Sequence, residues 1–410
     1  MKSNLIILMT LLGLPFFAST GFAEPTIKYN AQGMMTWTKF QTFENVLSTT
    51  PYTKTEVDLP VLELSIEYYL DPHSEIEIEV EFEHGGTGST LEYDPFEEFG
   101  EFETEQEAGG EVVLSEFYYR KKLNGLRWLK IGKLPLPVSL GNFQESFFNY
   151  NSVYGSSGEQ YMLPTDWHEI GVEYHQLFGS YGFKLLIVNG LNSEFFRKYN
   201  WIGGGYQKRF ETINSDDLAG VMTLEYGDLL TGNGIALALY SGDTRGNRYK
   251  QNKLSESAHV QLVSLLASWT FGHVGLRAQS ITGTLTNSDK VSLANSSLAS
   301  SVNPGAFASL GHKAFLNSIE LSYNTLQDDE QTLQTFVAFD QVDTMAEVEG
   351  AILKDDRYNR LISSFGMRWR WDEIMFLKLQ QSKFSNALDG VPDTQSTTLA
   401  FGFDLAGLNL

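Results

Sequence analysis

A row of carboxylates is the part of the chain whose residue types and spacing most directly suggest chemistry. Glu occupies every second position of residues 75–83, and Ile76, Ile78, Val80 and Phe82 lie between. These five carboxylates, here called the Glu ladder, are Glu75, Glu77, Glu79, Glu81 and Glu83. A period of two is the period of a β-strand, so the carboxylates share one face and the apolar side chains the other. Unpaired charges are too costly for a dry core, so the ladder must meet water, where it would attract cations.

Charged residues of both signs are predicted on the same inner surface. Assigning the more apolar face of each strand to the outside leaves two sets of pore-lining candidates. The acidic candidates are Glu63, Glu67, Glu75, Glu77, Glu79, Glu81, Glu83 and Glu116. The basic candidates are Arg120, Lys122, Lys130, Lys184, Arg277, Arg368, Arg370 and Lys378. An acidic wall facing a basic wall would create a transverse field that orients polar solutes, and the surplus of carboxylates predicts a preference for cations.

Two other interpretations of these charges remain open. Charges on neighbouring strands can pair and only brace the wall, as Arg120 and Lys122 beside the Glu ladder would do. Clustered Glu oxygens could also hold Ca²⁺. The spacing of about 7 Å between alternate residues of a strand argues against one ion bound by successive Glu residues.

The segment 134–166 is predicted to constrict the lumen. It is long and rich in aromatic residues, including Phe147 and Phe148. A loop of this composition is too apolar to extend into water, so we expect it to fold inward and pack on the wall. Its charged residues Glu145, Glu159 and Asp166 would then lie at or above the constriction. A contact between subunits is the alternative.

Catalysis is not predicted. The chain has seven His residues, which are scattered. His168 and His175 share a strand, but their odd spacing places them on opposite faces. No Ser or Asp is evident as a partner for a nucleophile and base, and no cofactor or metal is expected. A structural or adhesive barrel is the other non-enzymatic class.

The elements that position these residues are about sixteen alternating segments, with 14 or 18 also possible. The connections between them alternate between short turns and long loops, the pattern expected of an outer-membrane barrel. We therefore predict an all-β, transmembrane, antiparallel up-and-down β-barrel. A soluble sandwich or solenoid is the alternative.

Composition narrows the class of protein further. Residues 1–23 resemble a cleaved signal peptide, with Lys2, an apolar run and a small-residue cleavage site, and residues 24–410 form one predicted barrel domain. The net charge of −22 excludes a general nucleic-acid binder. Aromatic residues make up 13% of the chain, as expected for interfacial girdles, and there is no Cys. Expected partners are outer-membrane lipid, lipopolysaccharide and small ions or solutes.

Three short segments carry a family resemblance. Residues 129–137 read Leu-Lys-Ile-Gly-Lys-Leu-Pro-Leu-Pro and are followed by Gly141. Residues 188–192 read Val-Asn-Gly-Leu-Asn, and residues 201–207 read Trp-Ile-Gly-Gly-Gly-Tyr-Gln. This pattern resembles the phosphate-selective porin O/P-like family of Gram-negative outer-membrane porins. The resemblance implies a homotrimeric, sixteen-stranded porin whose third external loop constricts the pore. Anion-selective members present rows of Arg and Lys, whereas this chain has the Glu ladder, so both selectivities remain open.

Overall fold

The computed structural model contains a closed β-barrel. It describes residues 26–44, 48–86, 88–89, 108–109, 112–143, 150–207, 213–248, 253–296, 309–328, 330–371 and 374–405. The strands are β1 (Thr26–Phe43), β2 (Pro51–Asp71), β3 (Ser74–Glu83), β4 (Gly88–Ser89), β5 (Ala108–Gly109), β6 (Val112–Asn124), β7 (Arg127–Pro135), β8 (His168–Phe178), β9 (Tyr181–Asn189), β10 (Leu218–Asp228), β11 (Asn233–Asp243), β12 (His259–Phe271), β13 (Val274–Leu285), β14 (Lys313–Gln327), β15 (Gln331–Glu347), β16 (Asn359–Trp371), β17 (Met375–Asn386) and β18 (Thr394–Asp404).

Helices are few and short. They are α1 (Leu140–Phe143), α2 (Ser288–Ser296) and the 3₁₀ turns Glu159–Tyr161, Ser193–Phe195 and Asp356–Tyr358. Among the residues that the structure describes, no helix has the length and apolar character needed to cross a membrane.

Sixteen of the strands form the barrel, in chain order and antiparallel throughout. β4 and β5 pair only with each other, so β3 is followed by β6 in the barrel. The barrel closes where β1 pairs with β18, with Met35 opposite Phe401. This confirms the predicted sixteen-stranded up-and-down barrel. Short turns lie at one end and long loops at the other, and we name the ends accordingly.

The outer surface of the barrel is an apolar band. Large hydrophobic side chains such as Ile66, Ile187 and Phe365 are exposed on it. Near the short-turn end, the rings of Trp369 and Trp371 lie with centroids 5.0 Å apart. An exposed apolar band bordered by aromatic rings is the surface that a lipid bilayer requires.

A β-bulge in β6 changes which residues point inward. The register between β3 and β6 shifts at Glu79 and Val80, so that Glu79 lies opposite Glu116 and Val80 opposite Leu114. The extra residue, Ser115, is buried together with Glu116. Both side chains therefore face the interior, which strict alternation would not allow.

Gly132 on β7 is predicted to be intolerant of any side chain. Its φ is 145°, and a Cβ there would lie 2.1 Å from the carbonyl oxygen of Phe117 and 2.7 Å from the Cα of Tyr118. Both are backbone atoms of the paired strand, so they cannot move aside. We expect Gly132→Ala to lower the free energy of unfolding by about 1–3 kcal/mol, measured by urea unfolding in detergent micelles. Gly220→Ala is the control, because a Cβ at Gly220 meets no atom within 4 Å. Equal stability of the two variants would contradict this expectation.

Candidate functional site

The candidate site is a cavity of about 700 Å³ inside the barrel, bordered by β1–β3 and β6–β10. Its ionisable lining is unequal in sign. Seven carboxylates line it, namely Glu63, Glu77, Glu79, Glu173, Glu225, Asp228 and Asp404. Three basic residues line it, namely Arg120, Lys130 and Lys184. The cavity is therefore strongly acidic.

The acidic wall on β2, β3 and β6 brings carboxylates opposite one another. The strand register pairs Glu63 with Glu81, Glu67 with Glu77, and Glu79 with Glu116. Like charges directly opposite one another destabilise a sheet, so the stability of the barrel does not explain this arrangement.

Three carboxylates of this wall accept hydrogen bonds from neutral donors. The amide of Gln32 donates to Glu63, and the hydroxyl of Tyr118 donates to Glu77. Ser115 Oγ donates to Glu79 over 2.8 Å. None of these three carboxylates forms an ion pair within the described part of the chain.

Cations pair with the wall at its short-turn end. Arg120 binds Glu75, which is 5% exposed, and Lys28 Nζ lies 3.7 Å from Glu67. Lys122 is exposed at the same end of β6, where its backbone N–H donates to the carbonyl of His73. These two ion pairs therefore involve one residue of the Glu ladder, Glu75, and Glu67 on the neighbouring strand.

Glu81 and Glu83 meet Asp166, the last charged residue of the predicted constriction segment. Their carboxylate oxygens all lie within 4.8 Å of one another. The long side chains bring alternate residues of one strand closer together than backbone spacing alone predicts. Asp166 has a φ of 46°, and its backbone carbonyl accepts a hydrogen bond from Nδ1 of His168 over 2.8 Å. His168 Nε2 lies 3.6 Å from Glu116, so this end of the wall is joined to β8.

The described part of the third loop, residues 136–143 and 150–167, crosses the interior to the opposite side of the barrel. The backbone N–H of Leu140 donates to Gln279 on β13, and Asn151 Nδ2 donates to Glu320 on β14, over 2.9 and 2.8 Å. The N–H of Val153 donates to Gln380 on β17 over 2.7 Å. These contacts fix the loop against β13–β17.

The basic wall lies beneath that loop. Lys378 is fully buried, and its Nζ donates to the carbonyl of Ser152 over 2.8 Å. Arg368 Nη1 donates to the carbonyl of Tyr150 over 3.2 Å.

The other two basic residues lie beside them. The Arg277 guanidinium lies 5.0 Å from the ring centroid of Tyr150, and Arg277 is opposite Glu320 in the strand register. Arg370 is on the same strand as Arg368, nearer the short-turn end. Backbone carbonyls and an aromatic face of the third loop therefore contact Lys378, Arg368 and Arg277.

The described part of the fourth loop, residues 190–207 and 213–217, also folds inward. Trp201 is fully buried, and its Nε1 donates to the carbonyl of Gly311 over 2.9 Å. Arg360 Nη1 on β16 donates to the carbonyl of Tyr199 over 2.8 Å. The two loops enclose a buried apolar cluster with the inner faces of β9–β15, including Met162, Leu186 and Leu262. The inner surface there is apolar and buried, although strand alternation alone would predict that the inner side chains meet water.

The structure describes only some of the residues predicted to lie at the constriction. Glu145, Phe147 and Phe148 lie outside the described residues. Glu159 is partly buried at the base of the loop, where it accepts hydrogen bonds from Gln279 and from the backbone N–H of Gly141.

Glu159 is expected to make the stability of the docked loop depend on pH. Burial raises the pKa of its carboxyl, and the Asp340 carboxylate adds to the increase. A carboxyl with a raised folded-state pKa destabilises the folded state when ionised, and this penalty disappears as pH falls through that pKa. We expect Glu159→Gln to unfold at higher urea concentration than the wild type at about pH 8, with the difference shrinking towards about pH 5. Exposed Glu330→Gln is the control, and a difference independent of pH would contradict the expectation.

Several residues around the cavity were not anticipated from the sequence. Trp128 and His175 have ring centroids 4.2 Å apart, and both line the cavity. Gln32 and Ser115 supply neutral donors to the acidic wall. The bulge that turns Ser115 inward leaves no signal in the local sequence, because it depends on pairing with β3.

No family model matches the chain, and no curated protein matches it significantly. Solved structures do match over nearly the whole chain. The anion-selective porin from Comamonas acidovorans has 8% identity and a TM-score of 0.51, covering 93% of this chain and 100% of that one. Salmonella typhi OmpF, in complex with daunomycin, has 11% identity and a TM-score of 0.52, covering 92% and 97%. The outer-membrane channel DcaP of Acinetobacter baumannii has 9% identity and a TM-score of 0.53, covering 94% and 99%. The chain therefore has the fold of outer-membrane porins.

Proposed function

We propose that the protein is a passive outer-membrane porin that passes small hydrophilic solutes and ions with a preference for cations. The observation that carries the proposal is the unequal access to the two charged walls. Lys378 and Arg368 are covered by the third loop, whereas Glu63, Glu77 and Glu79 line the cavity. A cavity rich in carboxylates raises the local concentration of cations and lowers that of anions.

Export and membrane insertion belong to the same proposal. Residues 1–23 would be a cleaved signal peptide and residues 24–410 the mature barrel, with the long loops facing lipopolysaccharide. The exposed apolar band and the Trp369–Trp371 pair support contact with lipid. A homotrimer is proposed because one similar structure, OmpT of Vibrio cholerae, is described in a trimer form.

The third loop is proposed to constrict the pore. Its contacts with Gln279, Glu320 and Gln380 support this role, since they hold it across the interior. Water-filled passage would then follow the acidic side of the barrel, where Asp166 stands beside Glu81 and Glu83.

Two alternatives have specific support. Lys130 and Lys184 line the cavity, which favours the anion or phosphate selectivity of the phosphate-selective porin O/P-like family. The apolar cluster that fills the interior under the third and fourth loops favours a non-conducting structural or adhesive barrel.

An enzymatic function is not favoured. Ser241 Oγ lies 2.8 Å from His259 Nε2, an arrangement that a nucleophile and base would need. The pair lies at the long-loop end of β11 and β12, and His259 forms no ion pair with a carboxylate within the described ranges. We therefore propose transport without a covalent step.

Single-channel recording in a planar bilayer tests the proposal. With a KCl gradient, we expect stable conductance steps and a reversal potential of the sign set by K⁺. A reversal potential set by Cl⁻ would support the anion-selective alternative and contradict cation preference. Absence of conductance from protein that shows the heat-dependent gel shift of a folded barrel would favour the structural barrel.

A further inference from the structure

The cavity contains two cations whose ammonium groups lie against aromatic rings. Lys130 on β7 is opposite Glu173 in the strand register, yet its Nζ lies 3.9 Å from the ring centroid of Tyr118. Lys184 on β9 lies 5.1 Å from the ring centroid of Phe143. Neither forms an ion pair in the part of the chain that the structure describes. Aromatic rings stabilise both ammonium groups while leaving their other N–H donors available.

The carboxylates of the same cavity are also incompletely used. Glu63, Glu77 and Glu79 accept hydrogen bonds from an amide or a hydroxyl, not from a cation. An ionised carboxylate has about four acceptor sites, so each can accept further donors from a solute. The cavity thus presents charges of both signs, each with unused hydrogen-bonding capacity.

The two groups of charges are separated by strand geometry. Only β6 lies between β3, which carries Glu77 and Glu79, and β7, which carries Lys130. Two strand spacings are about 10 Å, and a peptide spans at most about 3.5 Å per residue. The ammonium and carboxylate of a single α-amino acid are too close together to reach both groups, whereas an extended chain of about three residues reaches both.

We propose that the cavity binds a short peptide of about two to four residues as a zwitterion, with its N-terminal ammonium at Glu63 and Glu79 and its C-terminal carboxylate at Lys130 and Lys184. A simple salt ion would neutralise one group only, whereas a single zwitterion of this length neutralises both. The volume of about 700 Å³ accommodates such a solute. Trp128 lines the same cavity and supplies an aromatic surface for the peptide backbone.

This inference rests on the proposed channel only in requiring that the cavity can be reached from water. Binding is therefore tested at equilibrium in detergent micelles, by the change in Trp fluorescence on titration with triglycine. Trp128→Phe identifies the part of the signal that comes from the cavity. The same solutions are then tested for block of the single-channel current, so a failure of conduction is distinguished from a failure of binding.

We expect triglycine to bind saturably. Glycine and N-acetyl-triglycine amide, which lacks both charges, are expected to bind at least about tenfold more weakly. The double variants Lys130→Met with Lys184→Met, and Glu63→Gln with Glu79→Gln, are each expected to weaken triglycine binding by about tenfold. The comparison of ligands needs only the wild type, so it stands even if a variant fails to fold. Equal binding of triglycine and its doubly blocked form, or no saturable signal from Trp128, would overturn the proposal.

Discussion

Neutralising the three cavity carboxylates that accept hydrogen bonds from neutral donors is expected to abolish most of the cation preference proposed for the protein. In the triple variant Glu63→Gln, Glu77→Gln, Glu79→Gln, we expect the K⁺/Cl⁻ permeability ratio to fall at least about threefold. The physical reason is that these groups line the cavity and form no ion pair within the described ranges, so their field acts on the solution inside it. Glutamine has nearly the same shape and keeps an oxygen that can accept from Gln32, Tyr118 and Ser115.

Reversal potentials in a KCl gradient measure this effect, and a second measurement at higher salt sharpens it. Because mobile ions screen fixed charges, the difference between wild type and variant is expected to shrink at about 1 M salt, where the Debye length is about 3 Å. The matched control removes three exposed carboxylates that do not line the cavity, by Glu44→Gln, Glu256→Gln and Glu330→Gln. An equal change in the control would mean that overall charge, and not the cavity, sets the selectivity.

Removing the crossing part of the third loop is expected to change both conductance and selectivity. Deletion of residues 150–162 takes away the carbonyls of Tyr150 and Ser152, which accept hydrogen bonds from Arg368 and Lys378. We expect the single-channel conductance to rise by about two- to fivefold, because the deleted segment occupies the interior. We also expect the permeability ratio to move towards anions, because the two uncovered cations would then face water.

The two readouts separate this prediction from a simple widening of the pore. A wider acidic pore would conduct more and keep its preference for cations, or lose it only gradually. A shift towards anions identifies the uncovered basic wall, and the addition of Arg368→Gln and Lys378→Gln should reverse it. Deletion of residues 387–393 in the loop between β17 and β18 is the control. An unchanged conductance after deletion of residues 150–162 would show that this segment does not limit ion flow.

The barrel itself could be predicted from local sequence. In β3, Glu and apolar residues alternate without interruption, and this alternation determines which side of the strand meets water. The same period, repeated between short turns and long loops, predicted about sixteen strands, and sixteen form the barrel. Strand alternation can be recognised in a sequence because successive side chains point to opposite faces, of which one meets water and the other does not.

Tertiary structure decided which of the inner charged side chains are buried under a loop. Alternation places Glu79 and Lys378 equally on inner faces, but only contacts between distant residues bury Lys378. The third loop reaches across the barrel through pairs such as Leu140 with Gln279 and Val153 with Gln380, which are 139 and 227 residues apart. The bulge at Ser115 likewise depends on the partner strand. The sequence by itself therefore determined the barrel and the two sets of inner charges. Long-range packing of the third loop buried Lys378 and Arg368 and left Glu63, Glu77 and Glu79 on the cavity wall, because burial depends on what lies opposite a residue and not on the local period.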